Sequence, residues 1–197
     1  TWEDVGHQAR CAAHWLRSRE LPQGSHIALI SKNCAHWIIA DLAIWMAGHV
    51  SVPLYPNLTA ESLAQVLEHS EATLAFIGKL DDWPCMSRGV NPDLPTISLP
   101  LHPPGSFDFS WADLQRSSPI QDDPKPAADQ LATIIYTSGT TGMPKGVMHS
   151  HRSLQTFCAH YTISCHYLAA EKIVNLAAAP STNSISVTQR SPLALTK

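Results

Sequence analysis

Paired cysteines, a strong net charge and long uninterrupted apolar runs are all missing from this sequence. Its five cysteines include no Cys-x-x-Cys pair, which argues against a disulfide framework and favours reduced thiols. The net charge is only −3 and 15% of the residues are charged, so the composition gives no basic surface for nucleic acid. No segment at the start has the pattern of a signal peptide. We therefore expect a cytoplasmic location and no nucleic-acid partner.

The longest apolar stretch, residues 37–55, is interrupted by Asp41, Gly48, His49 and Pro53. A membrane-spanning helix needs about 20 predominantly apolar residues in a row. A buried helix followed by a strand explains this pattern better. We expect at most peripheral contact with a membrane.

Helical and extended patterns alternate over the first 80 residues. Residues 1–19 predict an amphipathic helix in which Thr1 and Asp4 can form a capping box. Two further helices are predicted to begin at Asn33 and Thr59. Short apolar runs predict strands at 27–30, 50–55 and 73–77. This alternation predicts an α/β domain with a mostly parallel sheet flanked by helices.

Proline is concentrated in residues 84–126, which hold nine of the 15 prolines. Because proline interrupts helices and central strands, we predict an irregular excursion with one short helical turn at 111–115. An apolar, β-branched run at 131–135 then predicts a buried strand.

Directly after that strand, residues 136–146 have the sequence YTSGTTGMPKG, with three glycines, four Ser/Thr hydroxyls and one lysine. Glycines let the backbone turn and approach a ligand closely. Successive amides in such a turn form an anion-binding concavity, to which Lys145 adds a point charge. The segment therefore predicts a polyphosphate-binding loop. It is not a Walker A loop, because Lys145 stands between Pro144 and Gly146.

The run YTSGTTGMPKGVMHSH resembles the AMP-binding loop of the adenylate-forming superfamily, which comprises acyl-CoA synthetases, luciferases and peptide-synthetase adenylation domains. The stretches IALISKNCAHWIIADLAIWMAG and VPLYPNLTAE agree with this resemblance. It extends over residues 1–155 and is strongest to bacterial long-chain fatty acid–CoA ligases. It implies an incomplete, N-terminal part of the large domain of such an enzyme.

The resemblance implies a reaction in two halves. A carboxylate attacks the α-phosphate of ATP to give an acyl-adenylate and pyrophosphate, and the thiol of coenzyme A then displaces AMP to give a thioester. Mg²⁺ would bridge the phosphate oxygens. Lys145 is the implied catalytic residue, since it stabilises phosphate charge, and Tyr136 is expected to pack at the strand end. The residues implied to bind the phosphates are Thr137, Ser138, Gly139, Thr140, Thr141, Gly142 and Lys145.

Residues 1–170 are predicted to form a partial AMP-binding domain, and residues 171–197 to be a divergent tail. The tail has no Leu-Pro-Leu-x-His segment, which the resemblance leads us to expect there, so our hypothesis is that it is frameshifted or disordered. The adenine-binding, Tyr-Gly-x-Thr-Glu and ribose-binding segments and the C-terminal catalytic lysine also have no counterpart in the sequence. We expect an N-terminal piece of a ligase that is inactive on its own.

Two alternatives stay open: a non-catalytic nucleotide-binding module, and an enzyme that adenylates aryl or amino acids. A zinc site is a weaker alternative, because its candidate ligands lack the tightly spaced pairs of zinc motifs. Those candidates are His149, His151, His160, His166, Cys158 and Cys165. We predict no metal site.

Overall fold

A mostly parallel sheet forms the centre of the computed structural model, which describes residues 1–137 and 144–160. Its seven strands in these ranges have the order β5-β4-β3-β1-β2-β6-β7. All neighbouring pairs are parallel except β6 and β7, which are antiparallel. The strands are β1 (His26–Ile30), β2 (Val50–Leu54), β3 (Leu74–Ile77), β4 (Thr96–Ser98), β5 (Phe109–Ser110), β6 (Leu131–Thr137) and β7 (Lys145–Ser150). The predicted fold class is confirmed.

Helices connect the strands, and their starts follow local capping chemistry. The capping box of Thr1 and Asp4 is present, and the Thr59 hydroxyl accepts a hydrogen bond from the Ser62 amide, as predicted. The prediction for Asn33 is wrong: Cys34 is the N-cap, and its side chain makes no capping bond. The helices are α1 (Trp2–Arg17), α2 (Ala35–Met46), α3 (Ala60–His69), α4 (Trp83–Met86) and α5 (Trp111–Gln115).

The helices cover the two faces of the sheet. Helices α1, α2 and α5 pack against Ile27 and Leu29 of β1 on one side, which we call the α2 face. Helices α3 and α4 pack against Ala28 and Ile30 on the other side, the α3 face. Because side chains alternate along a strand, β1 is buried on both faces, as expected for a central parallel strand.

The proline-rich segment is more regular than its composition suggests. The predicted turn at 111–115 is confirmed as α5, but the segment also contains β4 and β5, which extend the sheet beyond β3. Strand β4 tolerates its neighbouring prolines because it is only three residues long. Pro95 precedes it and uses its carbonyl to accept from the Ala75 amide, which needs no proline N–H.

The chain divides into two compact units, Thr1–Gln155 and Thr156–Lys197, and every strand and helix named above belongs to the first. Residues 151–160 are helical. The predicted tail, residues 171–197, lies outside the described residues. No helix in the described ranges is long and apolar enough to cross a membrane.

Candidate functional site

Strands β6 and β7 form an antiparallel hairpin on either side of the glycine-rich segment, residues 138–144. Thr137 and Lys145 are direct partners across the hairpin, and both are exposed. The sequence predicted a loop over 136–146. This is corrected at both ends, because β6 continues to Thr137 and β7 begins at Lys145. Pairing with β6, rather than any local apolar pattern, makes residues 145–150 a strand.

Two of the seven predicted phosphate-binding residues, Thr137 and Lys145, are therefore brought together by the ladder itself. The other five lie outside the described residues: Ser138, Gly139, Thr140, Thr141 and Gly142. Their predicted role stays a prediction.

The end of β6 lies at the carboxyl edge of the parallel sheet. Strand β6 runs parallel to β2, with Thr133 opposite Ser51, and Thr137 follows four residues later. The carboxyl ends of β1, β2 and β3 meet at the same edge. Ligands of open parallel sheets bind outside this edge, so the hairpin presents Thr137 and Lys145 where a nucleotide would be expected.

Side chains alternate between the two faces of the hairpin. Ile134 and Tyr136 pack in the core on the α3 face, so Ile135 and Thr137 point to the α2 face. Lys145 shares that face because it is the partner of Thr137. An exposed hydroxyl and an exposed ammonium group thus project from one face at the two ends of the glycine-rich segment.

Tyr136 fixes the end of β6 in the core, as predicted. Its side chain is 5% exposed, and its hydroxyl lies 2.7 Å from Nδ1 of His69 in the last turn of α3. The two rings meet edge to face with centroids 5.7 Å apart. Burial raises the pKa of Tyr136 above its ordinary value, so the phenol stays neutral. Sequence reasoning missed His69, because no local pattern links two residues 67 positions apart.

Gly146 leaves room for the ring of Tyr136, its partner across the hairpin. A Cβ atom at position 146 would lie 2.8 Å from Cγ2 of Ile134 and 3.2 Å from Cζ of Tyr136. The first contact is too close for a real side chain, so an alanine here would force the packing to shift. Gly146 therefore serves close packing in the hairpin.

A polar cluster lies under α2 beside the hairpin. Ser51 and Thr133 are partners on β2 and β6, and both are buried. Burial raises the pKa of Asp41 on α2 to about 6, while the nearby Ser51 hydroxyl favours the charged form and offsets part of this effect. Neither Ser51 nor Thr133 completes a side-chain hydrogen bond of standard geometry with the described residues. We therefore expect the stability of the chain to change with pH as Asp41 ionises.

Within residues 1–137 and 144–160, no group of three or more His, Cys, Asp or Glu side chains could hold a metal ion. Of the zinc candidates, Cys165 and His166 lie outside these ranges. A depression lined by Leu67, Thr73 and Pro95 lies at the amino ends of β3 and β4, which is the edge opposite Thr137.

The whole described part of the chain falls within a known family. Residues 1–189 match the family model described as AMP-binding enzyme. The chain belongs to this family. The resemblance noted in the sequence is thereby confirmed, and the chain is part of the adenylate-forming superfamily.

Similar curated proteins are ligases and synthetases several times longer than this chain. A methyl-dioxo-octahydroindenyl-propanoyl:CoA ligase of Rhodococcus jostii is 31% identical over 190 residues, which covers 85% of this chain and 37% of that protein. A long chain acyl-CoA synthetase of Arabidopsis thaliana is 30% identical, over 80% of this chain and 26% of that protein. The beauvericin nonribosomal cyclodepsipeptide synthetase of Beauveria bassiana is 32% identical, over 78% of this chain and 5% of that protein. The chain thus spans 37% of the length of the CoA ligase and 26% of that of the acyl-CoA synthetase.

Solved structures agree on the fold. A crystal structure of an anthranilate CoA ligase in complex with anthranoyl-AMP superposes with a TM-score of 0.67 at 22% identity, covering 77% of this chain and 30% of that one. The match shows that the sheet and its helices have the arrangement found in part of an adenylate-forming enzyme.

Proposed function

We propose that this chain supplies the phosphate-binding part of an ATP-dependent acid–thiol ligase. The enzyme would join a carboxylic acid to AMP and then transfer the acyl group to coenzyme A. The observation that carries the proposal is the pairing of Thr137 with Lys145 at the carboxyl edge of the sheet. Membership of the AMP-binding enzyme family supports it.

The two side chains suit a triphosphate. The ammonium group of Lys145 supplies a positive charge and the Thr137 hydroxyl a hydrogen-bond donor. A charge pair at about 4 Å is worth roughly 4 kcal/mol at an effective dielectric of about 20, and less for a group as exposed as Lys145. We propose that the backbone amides and hydroxyls of residues 138–142 complete the cradle, and that Lys145 stabilises charge on the departing pyrophosphate.

The groups presented by Thr137 and Lys145 also suit ATP that carries a bound Mg²⁺ ion. Mg²⁺ in nucleotide sites takes one or two protein oxygens and is otherwise held by phosphates and water, so it would arrive with ATP. When bound, Mg²⁺ neutralises phosphate charge. In this proposal the chain's own contribution is to hold the β- and γ-phosphates in a fixed orientation, which is the main demand of phosphoryl chemistry.

A long-chain fatty acid is the proposed acid, because a long chain acyl-CoA synthetase is among the relatives. An amino acid is the second candidate, favoured by a cyclodepsipeptide synthetase that is 32% identical, against 30% for the acyl-CoA synthetase. An aryl acid belongs with this second candidate, since an aryl-CoA ligase shares the fold.

Two assays test the proposal. The first is a calorimetric titration of the 197-residue chain with MgATP, in which we expect binding. The second is acid-dependent exchange of pyrophosphate into ATP by the full-length gene product that carries this chain, with palmitate, benzoate and an amino-acid mixture as alternative acids.

Each outcome has a defined meaning. Exchange that depends on palmitate supports the fatty-acid ligase, whereas exchange only with benzoate or amino acids supports the second candidate. MgATP binding with no exchange for any acid would replace the ligase by a nucleotide-binding module. A chain and gene product that both fail to bind MgATP would contradict the proposal as a whole.

A further inference from the structure

We propose that His69 is a positioning residue for the phosphate site, acting through Tyr136 on the pair Thr137 and Lys145. This inference rests on the proposed function of that pair. His69 itself lies on α3 and is not expected to touch the nucleotide. Its contribution would be to fix one ring, and through that ring the geometry of the hairpin.

A series of contacts links His69 to the pair Thr137 and Lys145. Nδ1 of His69 lies 2.7 Å from the Tyr136 hydroxyl. The Tyr136 ring fills the space above Gly146, its partner on β7. The next pair along the ladder is Thr137 with Lys145. The position of the ring therefore bears directly on the strand pair that presents the ammonium and hydroxyl groups.

The ring depends on His69 because its surroundings are otherwise apolar. Tyr136 packs in the cluster that contains Ile134, Val52 and Leu54, and it is almost completely buried. A buried hydroxyl without a partner is unfavourable, so loss of His69 would drive the phenol toward water and away from Gly146. The space left there would loosen the last pairs of the hairpin.

The same region offers a matched control. Nδ1 of His26 lies 2.6 Å from the carbonyl oxygen of Ser70, the C-cap of α3. This bond resembles that of His69 in type and position, since both hold the C-terminal end of α3. It does not involve the hairpin. Replacing His26 thus tests for a general loosening of α3.

The experiment compares six proteins: wild type, His69→Leu, His69→Asn, Tyr136→Phe, the double variant with His69→Leu and Tyr136→Phe, and His26→Leu. An asparagine amide occupies nearly the position of Nδ1 of histidine, so His69→Asn retains a partner for the phenol. One readout is the Kd for MgATP from titration calorimetry. The other is amide hydrogen exchange of β6 and β7 without nucleotide, which reports the hairpin directly.

We expect His69→Leu to raise the Kd for MgATP by roughly three- to tenfold, the effect of losing one hydrogen bond. Tyr136→Phe should raise the Kd less, because it leaves no unpaired hydroxyl in the core, and the double variant should be no worse than His69→Leu. His69→Asn should restore affinity to within about twofold. Exchange of the β6–β7 amides should speed up in His69→Leu, whereas His26→Leu should change neither readout.

Equal changes in His69→Leu and His26→Leu, in both readouts, would overturn the inference, because they would indicate a general effect on α3. Unchanged hairpin exchange in His69→Leu would also overturn it. If the wild type does not bind MgATP, the proposed function fails for this chain. The exchange measurements would then still decide whether His69 positions the hairpin.

Discussion

The centre of the sheet and its β6–β7 edge differ in how far their apolar side chains are exposed to solvent. In β1 and β3 every residue from Ile27 to Ile30 and from Leu74 to Ile77 is buried, on both faces. On the hairpin, Ile135 is 38% exposed, Val147 44% and Met148 67%. The central strands are parallel and covered by helices, while the hairpin is antiparallel and presents polar groups between these side chains.

This difference separates the residues that hold the fold from those that we propose to act on a ligand. Burial of apolar surface stabilises the fold by about 25 cal/mol per Å². The fully buried central strands are therefore the main source of stability. The hairpin contributes less burial and can therefore carry exposed groups such as Thr137 and Lys145. Ile134 and Tyr136, with the partly buried Leu131, pack the hairpin against the core.

The largest expected effect comes from a substitution in the buried central strands. Phe76 on β3 is completely buried, so Phe76→Ala should lower the free energy of unfolding by about 3–5 kcal/mol. Urea denaturation followed by circular dichroism measures it. Met148→Ala on the hairpin is the control and should change stability by no more than about 0.5 kcal/mol. Equal losses for the two variants would show that the hairpin is as important to stability as the centre.

The same contrast explains how much of the fold the sequence could predict. Strands β1, β2 and β3 were predicted because burial on both faces leaves a continuous apolar run. Strand β7 was missed, because residues 145–150 are largely exposed and form a strand only by pairing with β6. Strand β4 was missed because Pro95 and Pro100 flank it, and only the alignment with β3 shows that neither proline interrupts the ladder.

The next largest effect concerns Asp41, an ionisable residue on α2, which packs on the sheet. Its pKa is raised from 3.8 to about 6 by burial, so between these values the folded chain holds a proton that the unfolded chain releases. Stability from this group is therefore complete below the lower value and is lost as pH rises toward 6. Asp41→Asn should be more stable than wild type at pH 7, by up to about 3 kcal/mol, and nearly equal to it at acidic pH.

Asp108 provides a control of opposite sign. The amide and hydroxyl of Thr96 both donate to its carboxylate, which lowers the pKa of Asp108. Asp108→Asn should therefore lose stability at neutral pH, and the loss should disappear as pH falls. Thermal unfolding of Asp41→Asn at pH 4 and pH 7, and of Asp108→Asn at pH 7 and well below pH 3.8, separates the two cases. A destabilised Asp41→Asn at pH 7 would contradict the assigned burial effect.

A smaller effect is expected at the one tightly packed position of the hairpin. Gly146→Ala should cost about 1–2 kcal/mol, because the new Cβ would collide with Ile134. Val147→Ala, one residue further on, is the exposed control and should cost less. The melting temperatures of the two variants give this comparison, and a neutral Gly146→Ala would show that the Ile134 side chain can move aside freely.

The sequence could predict those parts of the candidate site whose functional residues lie close together in one segment. Thr137 and Lys145 were identified because they lie in one eleven-residue segment with its glycines and hydroxyls. The bond between His69 and Tyr136 joins α3 to β6, and the polar neighbourhood of Asp41 joins α2 to β2. Both depend on how helices pack on the sheet, which no local sequence pattern specifies.

The most direct test of the central claim is the affinity of the chain for MgATP with and without the ammonium group at position 145. We predict that Lys145→Ala raises the Kd roughly tenfold to a hundredfold, as expected for a charged hydrogen bond, with thermal stability unchanged. Lys125→Ala, which removes an exposed lysine from the proline-rich segment, should leave the Kd unchanged. Equal affinity for wild type and Lys145→Ala would contradict the account of this hairpin as a phosphate site.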